Sequence, residues 1–138
     1  MLRDDVNSAL VQLGKRATEE QARLRVLARC LVLDEICAER AGQDEKWGQQ
    51  DHPDGTGPDL VWMAAESRDE ARTQCDDRFA RGAGTWMDIL EEEVSEAFAE
   101  SDPPYLRAEL VQVAAVAVAW IEAIDRRLAA EPVEVPGG

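Results

Sequence analysis

The chain has 138 residues, 45% of them hydrophobic and 32% charged, with 29 acids against 15 bases and a formal net charge of −14. That size and balance describe one soluble domain able to bury a core, and the negative surplus argues against nucleic acid and anionic membranes as partners. A polyphosphate substrate would need bound cations to offset the same repulsion, although the acidity also serves solubility by itself.

In chain order, the N-terminus MLRDDVNSAL lacks an apolar signal core, and Cys30, Cys37 and Cys75 form no CxxC pair, which predicts a reducing, cytoplasmic setting. A short first helix is expected over about residues 3–16. Thr18 followed by Gln21 reads as a capping box that opens a second helix carrying Leu24, Leu27, Leu31 and Ile36 to about residue 46. Residues 1–30 are expected as a helical extension. Gly48 to Asp59, with three glycines and two prolines, is a loop. A third helix over about 60–80 should end at Gly82-Ala83-Gly84. Thr85 caps a fourth helix over about 86–100, with Asp88 in its first turn. Asp102-Pro103-Pro104 opens a fifth that runs to about residue 130, and the tail from Glu131 to Gly138 is expected to fray. No stretch shows strand alternation. The expectation is an all-α bundle of about five helices forming a single domain over residues 1–130.

Two of these helices carry acids in a pattern that suggests chemistry. On the fourth, at about 100° per residue, Glu92, Glu93, Glu96 and Glu100 share an arc of about 100° beside the apolar stripe of Leu90, Val94, Ala97 and Phe98. A solvated acidic face fits that arc as well as a site does. The fifth helix holds the twelve-residue run Leu110 to Ile121, LVQVAAVAVAWI, which is too short to span a bilayer but apolar enough to need cover from neighbours or a partner subunit. Glu109 and Gln112 stand at its head, three residues apart. A buried Glu109 would need a proton, a hydrogen bond or a metal; an exposed one would be favoured by the helix dipole. Carboxylates from two helices without His or Cys suit Mg²⁺, with Mn²⁺ as a substitute. A di-iron bundle is disfavoured because it needs Glu-x-x-His, and the single histidine, His52, lies in the loop.

At these residues the sequence resembles the MazG-like all-α nucleoside triphosphate pyrophosphatases, especially the small phage and actinobacterial type. The family pattern is EExxE, a spacer, then ExxD. Here it reads Glu92-Glu93-Val94-Ser95-Glu96, twelve intervening residues, then Glu109-Leu110-Val111-Gln112. The match covers about residues 85–125, and Glu35 to Gln50 also looks like the first core helix and loop of phage-type members. The resemblance implies Mg²⁺-dependent hydrolysis of an NTP or dNTP to monophosphate and pyrophosphate by a homodimer or homotetramer. It places metal ligands on Glu92, Glu93, Glu96 and Glu109, with Glu93 and Glu96 as catalytic residues. The departure is Gln112, where the family has Asp. An amide oxygen can ligate a metal but brings no charge and cannot act as a base.

Lys46 and Trp47 match the phage-type pattern too, as a phosphate contact and a base-stacking ring, or else as a solvated lysine and a tryptophan packing the helix end. Arg40, Arg78 and Arg81 are further phosphate candidates. Glu35 and Glu39, four apart on the second helix, could approach the metals but read more readily as an exposed charged face, Trp86 and Trp120 read as core or interface, and His52 as a loop residue more than a base. The alternative to an enzyme is a catalytically inactive helical module of the same fold that binds a nucleotide or a protein.

Overall fold

The computed structural model describes residues 2–58 and 64–132. Among them the regular elements are four α-helices: α1 (Leu2–Trp47), α2 (Ala64–Ala80), α3 (Trp86–Ala99) and α4 (Pro103–Ala130). The all-α class expected from the sequence is the one found. The expected starts of the third helix at residues 60–63 and of the frayed tail beyond residue 132 lie outside the described residues. The chain divides into two compact units, Met1–Gly48 and Gln49–Gly138. No helix among the described residues is long and apolar enough to cross a membrane.

The first unit is one helix of 46 residues, so the expected break near Thr18 is absent and the count is four helices, not five. Thr18 is not a cap. Its hydroxyl donates to the carbonyl of Gly14 at 2.9 Å, the back-bond a threonine makes inside a helix. A mid-helix glycine costs about 1 kcal/mol relative to alanine, and the surrounding Ala, Leu, Arg, Gln and Glu carry the helix through it. The helix stops at Gly48, whose φ of +67° is a left-handed cap and whose N–H donates to the Asp44 carbonyl at 2.7 Å.

In the second unit α3 packs against both α2 and α4. α2 ends in a Schellman motif: Gly82, at φ +72°, donates to the Phe79 carbonyl at 3.1 Å, and Ala83 donates to that of Arg78 at 2.8 Å. The next glycine, Gly84, sits against the Phe79 ring so closely that a Cβ there would meet it at 2.5 Å. Thr85 then caps α3 in a full capping box. Its hydroxyl accepts from the Asp88 N–H, and its own N–H donates to the Asp88 carboxylate at 3.0 Å. α4 opens with prolines in its first two positions, where a missing N–H costs nothing. The loop after α1 is tied to the end of α3 by Gly57, whose N–H donates to the Phe98 carbonyl at 2.9 Å.

The buried apolar residues of this unit are small: Ala64, Ala71, Cys75, Ala97 and Ala99, with Leu106 and Val118 from α4. Small side chains bring the helices close but bury little area each. The apolar run of α4 is correspondingly half covered, with Val118 buried while Leu110, Val111 and Ile121 stay 51%, 50% and 37% exposed.

Candidate metal centre

α3 supplies Glu92, Glu93 and Glu96, and its packing against α4 brings Glu109 to them. Glu93, Glu96 and Glu109 each offer an oxygen such that all three lie within 4.8 Å of one another. All three side chains are half-buried. Burial and like charge act together on them. Burial first, then Glu96, Glu109 and Glu92, push the Glu93 carboxyl above its ordinary value. Glu109 is raised by burial first, then by Glu96 and Glu100 and by a hydrogen bond with Glu96, partly offset by Arg72. Glu93 and Glu109, both resisting ionisation in this cluster, mark a place short of positive charge.

Arg72, on α2, supplies part of what is missing. Its guanidinium donates to Glu96 at 2.7 Å and stands 3.9 Å from Glu92. Glu92 also accepts from the thiol of buried Cys75, which burial and then that bond push up to about 11. Cys75 therefore keeps its proton near neutral pH. Glu92 thus faces Arg72 and Cys75, whereas Glu93, one residue on, joins Glu96 and Glu109.

The donor set fits a hard divalent cation. Carboxylate oxygens within 4.8 Å need only modest side-chain rotation to reach the spacing of about 3 Å between adjacent ligands that a metal–oxygen distance of about 2.1 Å imposes. From α4, Glu109 alone joins the group. Gln112 is exposed, so the departure from ExxD falls on a side chain outside the converging set.

The other residues singled out in the sequence lie elsewhere. Arg78 pairs with buried Asp88 at 3.2 Å, across the α2–α3 turn. The Thr85 hydroxyl and N–H and the Arg78 guanidinium together hold that carboxyl below its ordinary value, against burial. Arg81 pairs with Asp77 at 3.3 Å. On the first unit, Arg40 donates to Gln43 at 2.7 Å and Asp44 at 2.8 Å, and the Lys46 ammonium sits 4.7 Å over the Trp47 ring. Glu35, Glu39 and His52 are exposed, and Trp86 and Trp120 are half-buried. Sequence reasoning missed Arg72, because nothing local to α2 marks it. Its role appears only once α2 lies against α3.

Compared with protein-family models, curated proteins and solved structures, the chain matches none.

Proposed function

We propose that this protein is a Mg²⁺-dependent nucleoside triphosphate pyrophosphohydrolase, cleaving an NTP or dNTP to the monophosphate and pyrophosphate. One observation carries the reading: Glu93, Glu96 and Glu109, the acids that the resemblance to the MazG-like pattern marks as ligands, meet within 4.8 Å although twelve residues of chain separate the two motif halves. The three carboxylates would hold the cation, with Glu92 close by on the Arg72 side. Bound there, Mg²⁺ or Mn²⁺ would neutralise triphosphate charge and lower the pKa of a bound water. Glu93, beside the cation, would accept the proton of the water that attacks the α- or β-phosphorus. Assembly as a homodimer or homotetramer belongs to the same reading, and the exposed side chains of α4 are its support.

The second reading is a catalytically inactive nucleotide- or protein-binding module. Two observations favour it: the uncharged residue at position 112, and the Arg72 guanidinium already bonded to Glu96. Pyrophosphate release from the canonical ribo- and deoxyribonucleoside triphosphates with Mg²⁺ separates the two. The pyrophosphatase reading expects turnover with at least one of them, and a loss of about 100-fold or more in Glu96→Gln with the fold intact. No turnover with any substrate, or full activity in Glu96→Gln, would sink it.

A further inference from the structure

Two neighbours compete for Glu96. On α3, at about 100° per residue, it lies between Glu92 and Glu93, about 40° from the first and about 60° from the second. On the Glu93 side it belongs to the carboxylates that converge with Glu109. On the Glu92 side it shares the Arg72 guanidinium, whose Nη2 donates to it at 2.7 Å while Nε stands 3.9 Å from Glu92. A cation that takes Glu96 displaces Arg72, and the other α3 carboxylate that the guanidinium already faces is Glu92. Closing that gap to a charge-assisted hydrogen bond of about 2.8 Å needs a movement of about 1 Å.

Glu92 is fixed where Arg72 can reach it. Its carboxylate accepts from the Cys75 thiol. Cys75 follows Arg72 by three residues on α2, so both meet α3 from one face of that helix. The thiol is buried and keeps its proton near neutral pH, so it stays a donor. Turning Glu92 toward a metal would strip that thiol of its acceptor. It would also leave the half-exposed Arg72 with neither α3 carboxylate, free to take up the many rotamers of a long side chain in solvent. Charge points the same way. Glu93, Glu96 and Glu109, when ionised, already bring more negative charge than one divalent cation carries. A fourth carboxylate there adds repulsion, whereas beside Arg72 its charge is balanced.

We propose that Glu92 is a positioning residue and not a metal ligand: pinned by Cys75, it receives Arg72 when a cation takes Glu96 and keeps the guanidinium at the rim of the site for the phosphates of the substrate. The inference rests on the pyrophosphatase reading and departs from the resemblance, which makes Glu92 a ligand.

Glu92→Gln, Arg72→Gln and the double variant test it, with Glu109→Gln as the standard for a lost ligand. In Mn²⁺ calorimetry the double variant, which removes one charge of each sign, should bind the ion within severalfold of the unaltered chain, while Glu109→Gln weakens binding by about 100-fold. A double variant as weak as Glu109→Gln makes Glu92 a ligand and overturns the proposal. At saturating Mg²⁺, KM for the triphosphate should rise about tenfold in Arg72→Gln and severalfold in Glu92→Gln. In the double variant it should rise no further than in Arg72→Gln alone, because Glu92 acts only through Arg72. Rises that multiply, or no rise in Glu92→Gln, overturn the proposal. Cys75→Ala should reproduce the rise seen in Glu92→Gln, and Cys75→Ser, which keeps a donor, should not; equal effects remove the pin and the proposal with it. An unaltered chain that neither binds Mn²⁺ nor turns over any triphosphate fails the pyrophosphatase reading as a whole. Sound binding and turnover together with a ligand-like Glu92 fails this assignment alone.

Discussion

Arg72 and a divalent cation would compete for the same Glu96 oxygen. The guanidinium is half exposed, and its bond to Glu96 is short; such pairs are weak in water and easily exchanged. Ion binding would release Arg72 from Glu96 at the edge of the site, where a polyphosphate would lie and where guanidinium is a good partner for phosphate. Arg72→Gln should therefore tighten Mn²⁺ binding severalfold in calorimetry, while turnover falls through a raised KM for the triphosphate. If Mn²⁺ binding weakens instead, Arg72 props the ligand rather than competing with it. Neither the place of Arg72 nor the separation of Glu92 from Glu93 is legible in the sequence. On a wheel those two glutamates are neighbours about 100° apart, and which of them joins Glu109 is decided by the neighbouring helices against which α3 lies.

The elements differ in how far local chemistry fixes them. The end of α2 and the start of α3 could be placed to a residue because each is marked by a residue with a local job: Gly82 in the left-handed cap, Thr85 and Asp88 in the capping box. Thr18 carries similar chemistry and means something else. With helix formers on both sides, its hydroxyl bonds back to Gly14 and the helix continues. A cap signal ends a helix only when the residues before it cannot extend one. The α2–α3 corner is also where Arg78 and Asp88 meet, and it aims both helices at the carboxylate site. Gly82→Ala should destabilise the protein by about 1–2 kcal/mol, since a Cβ is disfavoured in the left-handed region, and Thr85→Ala by about 1 kcal/mol through the lost cap. Denaturant titration checks both. If Gly82→Ala is neutral, the Schellman geometry at this corner is not the one described.

At the scale of the whole molecule, charge and stability oppose each other. With a net charge of −14, self-repulsion grows as the acids ionise, and the site concentrates the effect. Glu93 and Glu109 have folded values raised above the 4.5 of a free glutamate, so the folded state holds protons that the unfolded chain has released. Their contribution to stability is present below pH 4.5 and is lost as pH rises through their folded values. Asp88 works in the opposite sense. Its value is lowered from 3.8, so its contribution is present above that pH and is lost as pH falls through the folded value. Thermal melts should accordingly show highest stability in mildly acidic buffer and a decline toward neutrality, flattened in Glu109→Gln. A cation that binds the ionised carboxylates reverses the decline, because it stabilises the deprotonated site and releases protons on binding. At about 100 times its dissociation constant, Mg²⁺ should add about 2.7 kcal/mol at neutral pH, and much less in mildly acidic buffer where protons occupy the same oxygens. A melting temperature indifferent to Mg²⁺ across this range would leave the three glutamates as an unfavourable cluster without a ligand, and would remove the ground for the pyrophosphatase reading.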